Sequence, residues 1–359
     1  MSATKASVVE EAGVSSMPAK KSFGARVAAH FKKWWWAHLI AFIIALLVII
    51  LPVVYVGYPK IAQDAVNDST LDIKQMVISD PTPETFHLNQ TQILGSKSSY
   101  HPQIYEFDAE VSLGGAEAPF AMVTVPSVKS NDGAEIHVDQ HVDLSDSDAF
   151  GDFATAVMMN KEVSLNIYGR PGLKEGSLPK TTVTYNKTVS MKGLNQLEGF
   201  AVSEFHIMIP SVNGYNMNGT VLIPNPSVMT ITMVFLLFPT NVFKILTNQG
   251  NLSLSLAVDG KSMGTTYLND LVLKPGDNNV PMLAKVDQAA VIGLLTSSDN
   301  PYKDGIVPFD ISGKSSSYNG KELPYFTKAL SANKLTVKLD VGAALKEIGL
   351  NLIKSALGA

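Results

Sequence analysis

Cysteine is absent from all 359 residues, which excludes disulfide staples and thiolate metal centres. Whatever fold forms must rest on buried apolar surface, and a chain of this length that is 46% hydrophobic can supply enough of it. Charged residues make up only 17%, and positive charge is concentrated at the start. Lys5, Lys20, Lys21, Arg26, Lys32 and Lys33 precede Trp34 against Glu10 and Glu11, so the remainder carries about −8 within an overall charge of −4. An acidic remainder argues against nucleic acid as a partner. Also missing are a Gly-x-Ser-x-Gly elbow, a phosphate loop and a dinucleotide fingerprint. No enzymatic activity and no cofactor are therefore expected. Residues 1–33 lack any sustained apolar stripe and read as a basic, disordered cytosolic tail.

What is present begins with Trp34 to Tyr58, WWWAHLIAFIIALLVIILPVVYVGY, an uncharged apolar run flanked by Lys33 and Lys60. Twenty residues at 1.5 Å rise cross a hydrocarbon core of ~30 Å, so residues 34–59 are expected to be a transmembrane helix. Trp34, Trp35 and Trp36 suit one interfacial belt, and Tyr55 and Tyr58 the other. Pro52 lies within the last turns, where a slight kink is expected. The basic flank sets the N-terminus in the cytosol and everything beyond Tyr58 in a lumen or outside the cell. The run is longer than a signal-peptide core and no small-x-small cleavage site ends it, so it reads as an uncleaved signal anchor.

From Leu71 the pattern changes to period two. Leu71, Ile73, Val77 and Ser79 alternate with Asp72, Lys74 and Met76 up to Asp80-Pro81-Thr82-Pro83. Further strands are expected over 104–113, 121–128, 135–144, 163–168 and 181–189, between turn residues such as Gly114-Gly115 and Asn131-Asp132-Gly133. This spacing indicates antiparallel sandwiches. One helix interrupts them: Asp146 or Ser147 can cap it, and Phe150, Phe153, Ala154, Val157 and Met158 share a face. A calcium loop over 143–154 is disfavoured, because its sixth position is Asp148 and its twelfth Ala154.

The second half repeats the plan of the first. Val163 to Gly169, then Leu178 to Val183, parallels Leu252 to Gly260, then Leu268 to Leu273. Upstream, Phe120 to Pro126 parallels Gly219 to Pro224, and the first helix parallels Thr240 to Leu246. The expected fold class is mainly β: one N-terminal transmembrane helix, then tandem antiparallel β-sandwich domains over 60–195 and 196–359 with short crossing helices. A C-terminal amphipathic helix is marked by Val341, Ala344, Leu345, Ile348, Leu352 and Ile353.

Asn218-Gly-Thr-Val-Leu-Ile-Pro-Asn-Pro-Ser227, the stretch Gly250 to Gly264, Leu271 to Pro281, Ile311 to Ser316 and Leu323 to Leu330 carry a family resemblance. They resemble a fungal family of uncharacterised single-pass membrane proteins. Its lumenal repeats are similar to the plant late-embryogenesis-abundant type-2 (water-stress and hypersensitive-response) sandwich. The resemblance implies a glycoprotein of the vacuolar membrane or another endomembrane, with the plasma membrane as the alternative, and no enzyme. Its most specific element, Asn225-Pro226-Ser227, is also turn chemistry.

Three sets of residues stand out as candidate sites. His137, Asp139, His141 and Asp143 alternate onto one strand face, but neighbours ~6.8 Å apart share a metal ion only with help from another strand; a solvated face opposite Ile136, Val138 and Val142 is the simpler reading. Phe235, Leu236, Leu237 and Phe238, apolar at consecutive positions, belong either to a strand buried on both sides or to the wall of a lipid groove. Asn67, Asn89, Asn186, Asn218 and Asn251 stand in N-glycosylation sequons. The expected partners are the membrane, through a single span, and lumenal proteins or lipid. The expected function is that of a binding or scaffold module, with apolar-ligand binding or transfer as the alternative.

Endoglycosidase treatment of the protein from eukaryotic cells is expected to increase its mobility, with the C-terminal part protected from protease in intact vesicles. An unshifted, protease-accessible C-terminal part would reverse the orientation.

Overall fold

The uncharged run after Lys33 forms a helix whose side chains are exposed on every side. The protein is described here by a computed structural model that covers residues 23–233, 250–297 and 301–349. The chain divides into two units, Met1–Tyr58 and Pro59–Ala359. In the first, α1 (Phe23–Pro52) departs from helical geometry at Trp34 (φ −116°, ψ 18°), which separates the basic segment from the apolar one. Leu39, Ile43 and Leu47 are 45–48% exposed, and Phe42, Val48 and Ile49 are 63–68% exposed. The helix is apolar all round and long enough to cross a membrane. Pro52 lacks the N–H that an α-turn needs, and the backbone widens to a π-helical turn over Val53–Gly57.

The second unit opens with α2 (Tyr58–Asp68), which buries Ala62 and Val66. The Gln63 amide bonds both backbone groups of Thr184, donating to its carbonyl at 2.8 Å and accepting from its N–H at 2.7 Å. The Lys187 ammonium donates to the carbonyls of Asn67 and Ser69, and partial burial lowers its pKa against the opposing pull of Asp68.

Strands then follow: β1 (Thr70–Ser79), β2 (Thr85–Gly95), β3 (Gln103–Ile104), β4 (Phe107–Leu113), β5 (Ala121–Val125), β6 (Val128–Lys129) and β7 (Ala134–Asp143). After α3 (Ser147–Met159) come β8 (Glu162–Gly169), β9 (Gly172–Lys174), β10 (Thr181–Thr182) and β11 (Tyr185–Lys192). Asp146 caps α3, accepting from the N–H groups of Asp148 and Ala149, and Phe150, Phe153, Val157 and Met158 are buried as their spacing predicts. Several expectations need correction: the strands expected over 121–128 and 181–189 are each divided between two sheets, as β5 and β6 and as β10 and β11. The inward face of β1 changes phase: Ile73 is buried, but so are Met76 and Ile78, because the register slips between Ile73 and Gln75 and an extra residue reverses the alternation. The strand expected over 104–113 is two strands, because Gln103–Ile104 pairs with β6 and β9 whereas Phe107–Leu113 pairs with β5 and β8 in another sheet.

In the second half, a 3-10 turn at Asn195–Leu197, with all three residues at positive φ, leads to β12 (Ala201–Val212), β13 (Tyr215–Asn225) and β14 (Met229–Thr232). Beyond residue 249 come β15 (Gly250–Val258), β16 (Lys261–Asn269), β17 (Val272–Leu273), β18 (Gly276–Val286) and α4 (Gln288–Thr296). The order closes with β19 (Ile306–Tyr318), β20 (Lys321–Glu322), α5 (Pro324–Ala332), β21 (Lys334–Asp340) and α6 (Val341–Glu347). α6 buries Val341, Ala344 and Leu345, while Leu352 and Ile353 lie outside the described residues. So do the helix expected over 240–246 and residues 1–22 of the tail, whereas residues 23–33, expected to be disordered with them, begin α1.

Among the described residues the strands form four sheets, in the orders β17-β14-β1-β2-β7, β10-β9-β3-β6, β11-β8-β4-β5, and a large one running β12-β13-β18-β16-β15-β19-β20 with β21 beside β19. The chain is mainly β, and its sheets are antiparallel apart from one pairing: β1 lies parallel to β14, Met76 opposite Met229 and Ile78 opposite Ile231. A strand from the start of the unit is thereby completed by one from its second half. Helices reinforce the junction. Phe150 of α3 meets Tyr325 of α5 edge to face at 4.9 Å, and Lys328 pairs with Asp152 at 2.7 Å. The Tyr325 hydroxyl donates to the Thr82 carbonyl at 2.7 Å and Tyr318 donates to Asp80 at 2.8 Å, and burial raises both phenols above the usual tyrosine range.

The turn that delivers β14 to β1 is built by Asn225, only 2% exposed. Its Oδ1 accepts from the N–H of Ser227 at 3.0 Å and from the Ser227 hydroxyl at 2.6 Å, while its Nδ2 donates to the Met229 carbonyl at 2.8 Å. Asn225→Ala strands these buried groups and is expected to cost about 2–3 kcal/mol in denaturant unfolding followed by near-ultraviolet circular dichroism. A loss below about 0.5 kcal/mol would show that the turn does not fix the strand.

Candidate functional site

The histidine face expected on β7 is where alternation puts it. His137, Asp139, His141 and Asp143 are exposed, and Ile136, Val138 and Val142 are buried. The neighbouring strand adds His87, directly opposite His141, with ring centroids 4.9 Å apart. Asp139 is held between His87 Nε2 at 2.9 Å and Asn89 Nδ2 at 3.0 Å. His137 turns elsewhere, toward Glu135 at 3.3 Å and Thr91 at 3.1 Å. The face is thus split into two hydrogen-bonded clusters, and among the described residues no three His, Asp or Glu side chains are grouped to hold an ion. Asp143 joins neither cluster through a described bond.

Phe235, Leu236, Leu237 and Phe238 lie outside the described residues. The chain leading to them does border an apolar cavity: Met229, Ile231 and Met233 line a void of about 110 Å³ together with Leu252, Leu254 and Leu268 and residues of α3 and α5. A second void of about 70 Å³ lies in the first half between β1, β2 and β7 and the strands β4, β5 and β8. Gln90 and Gln92 border it, both buried, with Gln90 Nε2 donating a hydrogen bond of 3.3 Å to Gln92 Oε1. These two amides occupy inward positions of β2 and hide its alternation of Phe86, Leu88 and Leu94, the signal by which the strand is recognisable in the sequence.

The sequons separate by position. Asn67, Asn89 and Asn186 are exposed; Asn218 and Asn251 are half-buried, and each has a buried Oδ1 without a hydrogen-bond partner. Asn218 lines the largest concavity described, an open groove of about 650 Å³ on the outer face of the large sheet. Pairing puts His206, Asn218, Leu283 and Tyr267 in one row across four strands, and Glu204, Thr220 and Pro281 in the next. Asn269 and Asp270 close one end. Thr220 donates to Glu204 at 3.2 Å and His206 pairs with Glu347 at 3.1 Å. Lys285 Nζ stands 5.9 Å from the centre of the Tyr267 ring and 5.2 Å from that of Tyr215. The groove offers acceptors at its edges and an apolar floor of Pro281 and Leu283. These residues come from four strands spread over 80 positions, so no local motif announces them.

Because the His87–Asp139 contact is solvent-exposed on its Asp139 side, Asp139→Asn is expected to change stability by no more than about 0.5–1 kcal/mol in the same unfolding measurement. A larger loss would mean that this face carries structural load.

Residues 118–240 match a family described as protein of unknown function (DUF3712). The match runs from the approach to β5 through β14 and includes the Asn225 turn. No curated protein matches the chain. Among solved structures, the chain is similar to the periplasmic chaperone SfaE at 10% identity over 75% of this chain and 97% of that one, with a TM-score of 0.16. It is also similar to the CupB6 tip adhesin from Pseudomonas aeruginosa at 8% identity over 60% and 88%, with a TM-score of 0.18. Scores this low bear on neither fold nor function.

Proposed function

We propose that this is a non-enzymatic, single-pass membrane protein whose β-rich unit is a binding or scaffold module on the lumenal or extracellular side, with the N-terminal tail in the cytosol. The reading follows the resemblance to the fungal single-pass family with late-embryogenesis-abundant-like repeats, and with it a vacuolar or other endomembrane location. The observation that carries it is the contrast between two surfaces. α1 exposes apolar side chains on all sides, as a lipid-embedded helix does, whereas the large sheet of the other unit exposes a concave polar face with half-buried amides. A surface of that kind suits recognition of a soluble partner.

The alternative, binding of lipid or another apolar ligand, is favoured by the apolar lining of the internal voids. We rank it second because, for the described residues, about 110 Å³ is well short of the ~300–1,000 Å³ typical of ligand pockets.

Mass spectrometry of lipid extracted from the purified β-rich unit is expected to find none in stoichiometric amount, while chemical cross-linking of the whole protein in its membrane captures protein or glycan partners through the polar face. A stoichiometric co-purifying lipid would reverse the order of the two readings.

A further inference from the structure

We propose that the groove on the outer face of the large sheet is a saccharide-binding site; this rests on reading the unit as a binding module and names its ligand. A sugar ring presents an apolar C–H face within a rim of hydroxyls, and its complement is a small apolar platform bordered by hydrogen-bonding groups. The groove has that layout. Pro281, Leu283 and Tyr267 form the platform; Glu204, His206, Asn218 and Thr220 border it on one side, Asn269 and Asp270 on the other.

The polar groups select the ligand further. Asn218 lines the groove between His206 and Leu283, its Oδ1 turned inward and without a hydrogen-bond partner. Glu204 and Asp270 are acceptors as well, so the groove asks for donors and repels anions such as phosphate. An apolar chain would leave these acceptors dry and unpaired. A compact cation would satisfy the carboxylates but leave the Pro281 and Leu283 platform uncovered. A neutral, hydroxyl-rich molecule satisfies all of these constraints, and the groove, at about 650 Å³, has room for one.

Asn218 also begins the sequon Asn218-Gly219-Thr220, so the saccharide is either a separate molecule or a glycan carried by Asn218 itself. Two arms distinguish these sources. In the first, the full chain is made without N-glycosylation, placed in lipid nanodiscs and titrated with neutral oligosaccharides of glucose, mannose and N-acetylglucosamine, with saturation-transfer NMR as readout. Binding of at least one is expected, weakened about fivefold or more by His206→Ala and by Tyr267→Ala, and unchanged by Asp139→Asn on another sheet. His206 is exposed, so its variant tests the groove even if the tyrosine variant folds poorly. In the second arm, glycopeptide mass spectrometry of the protein from eukaryotic cells reads occupancy at Asn218; a glycan there, with no gain in protease resistance over Asn218→Gln, makes the groove a bystander. No binding in the first arm together with an empty or bystander Asn218 overturns the proposal, as does binding that ignores both groove variants. If saccharides fail while cross-linking captures a protein through the same face, the saccharide assignment falls and the binding-module reading stands.

Discussion

The parallel pairing of β1 with β14 is the constraint on which the rest of the second unit depends. Parallel neighbours need a long connection, and here more than 140 residues separate the two strands. Bringing them together forces the first half to be laid down against the second. The buried Asn225 side chain fixes where this happens, since it satisfies the backbone groups of a turn that would otherwise be dry and holds Val228, whose carbonyl accepts from the Met76 N–H at 3.2 Å. An asparagine followed by proline and serine is therefore a structural device here: the amide mimics backbone, and the proline removes a donor that has no partner.

With no disulfide to cross-link the halves, their association relies on apolar burial and a few directed bonds. Phe150 stands at the centre, stacked on Phe86 at 5.1 Å, tilted against Phe120 and Phe153, and edge-on to Tyr325. These rings come from β2, the approach to β5, α3 and α5, so a single aromatic cluster ties two sheets and two helices. Such clusters favour offset and edge-to-face geometry, which fixes orientation as well as proximity. The phenols of Tyr318 and Tyr325 add the polar counterpart, each reaching from the second half to the turn after β1.

The apolar helix and the β-rich unit solve opposite solvation problems. α1 exposes its apolar side chains, which in hydrocarbon would need no protein cover. The β-rich unit hides its apolar residues between layers and keeps His87, Asn89, His137 and Asp139 of β2 and β7 on the outer face, where they form hydrogen bonds across the strands. The groove differs from that outer face in combining an apolar floor of Pro281 and Leu283 with polar edges.

Composition and local pattern determined a good deal. The length of the apolar run specified a helix long enough to span a membrane, and hydrophobic spacing specified α3 and the inward residues of β7, because helix and strand periods are local properties. Asp146 was readable as a cap for the same reason. Local pattern misled where a non-local event overrode it: the bulge in β1 inverted its faces, the crossing between sheets cut the strand at Tyr105, and two buried glutamines masked β2. His87 became a neighbour of His141 only through strand register, and the parallel pairing of β1 with β14 has no signature in either strand. The groove likewise belongs to the tertiary structure, since a row such as His206, Asn218, Leu283 and Tyr267 exists only once four strands far apart in sequence are hydrogen-bonded side by side.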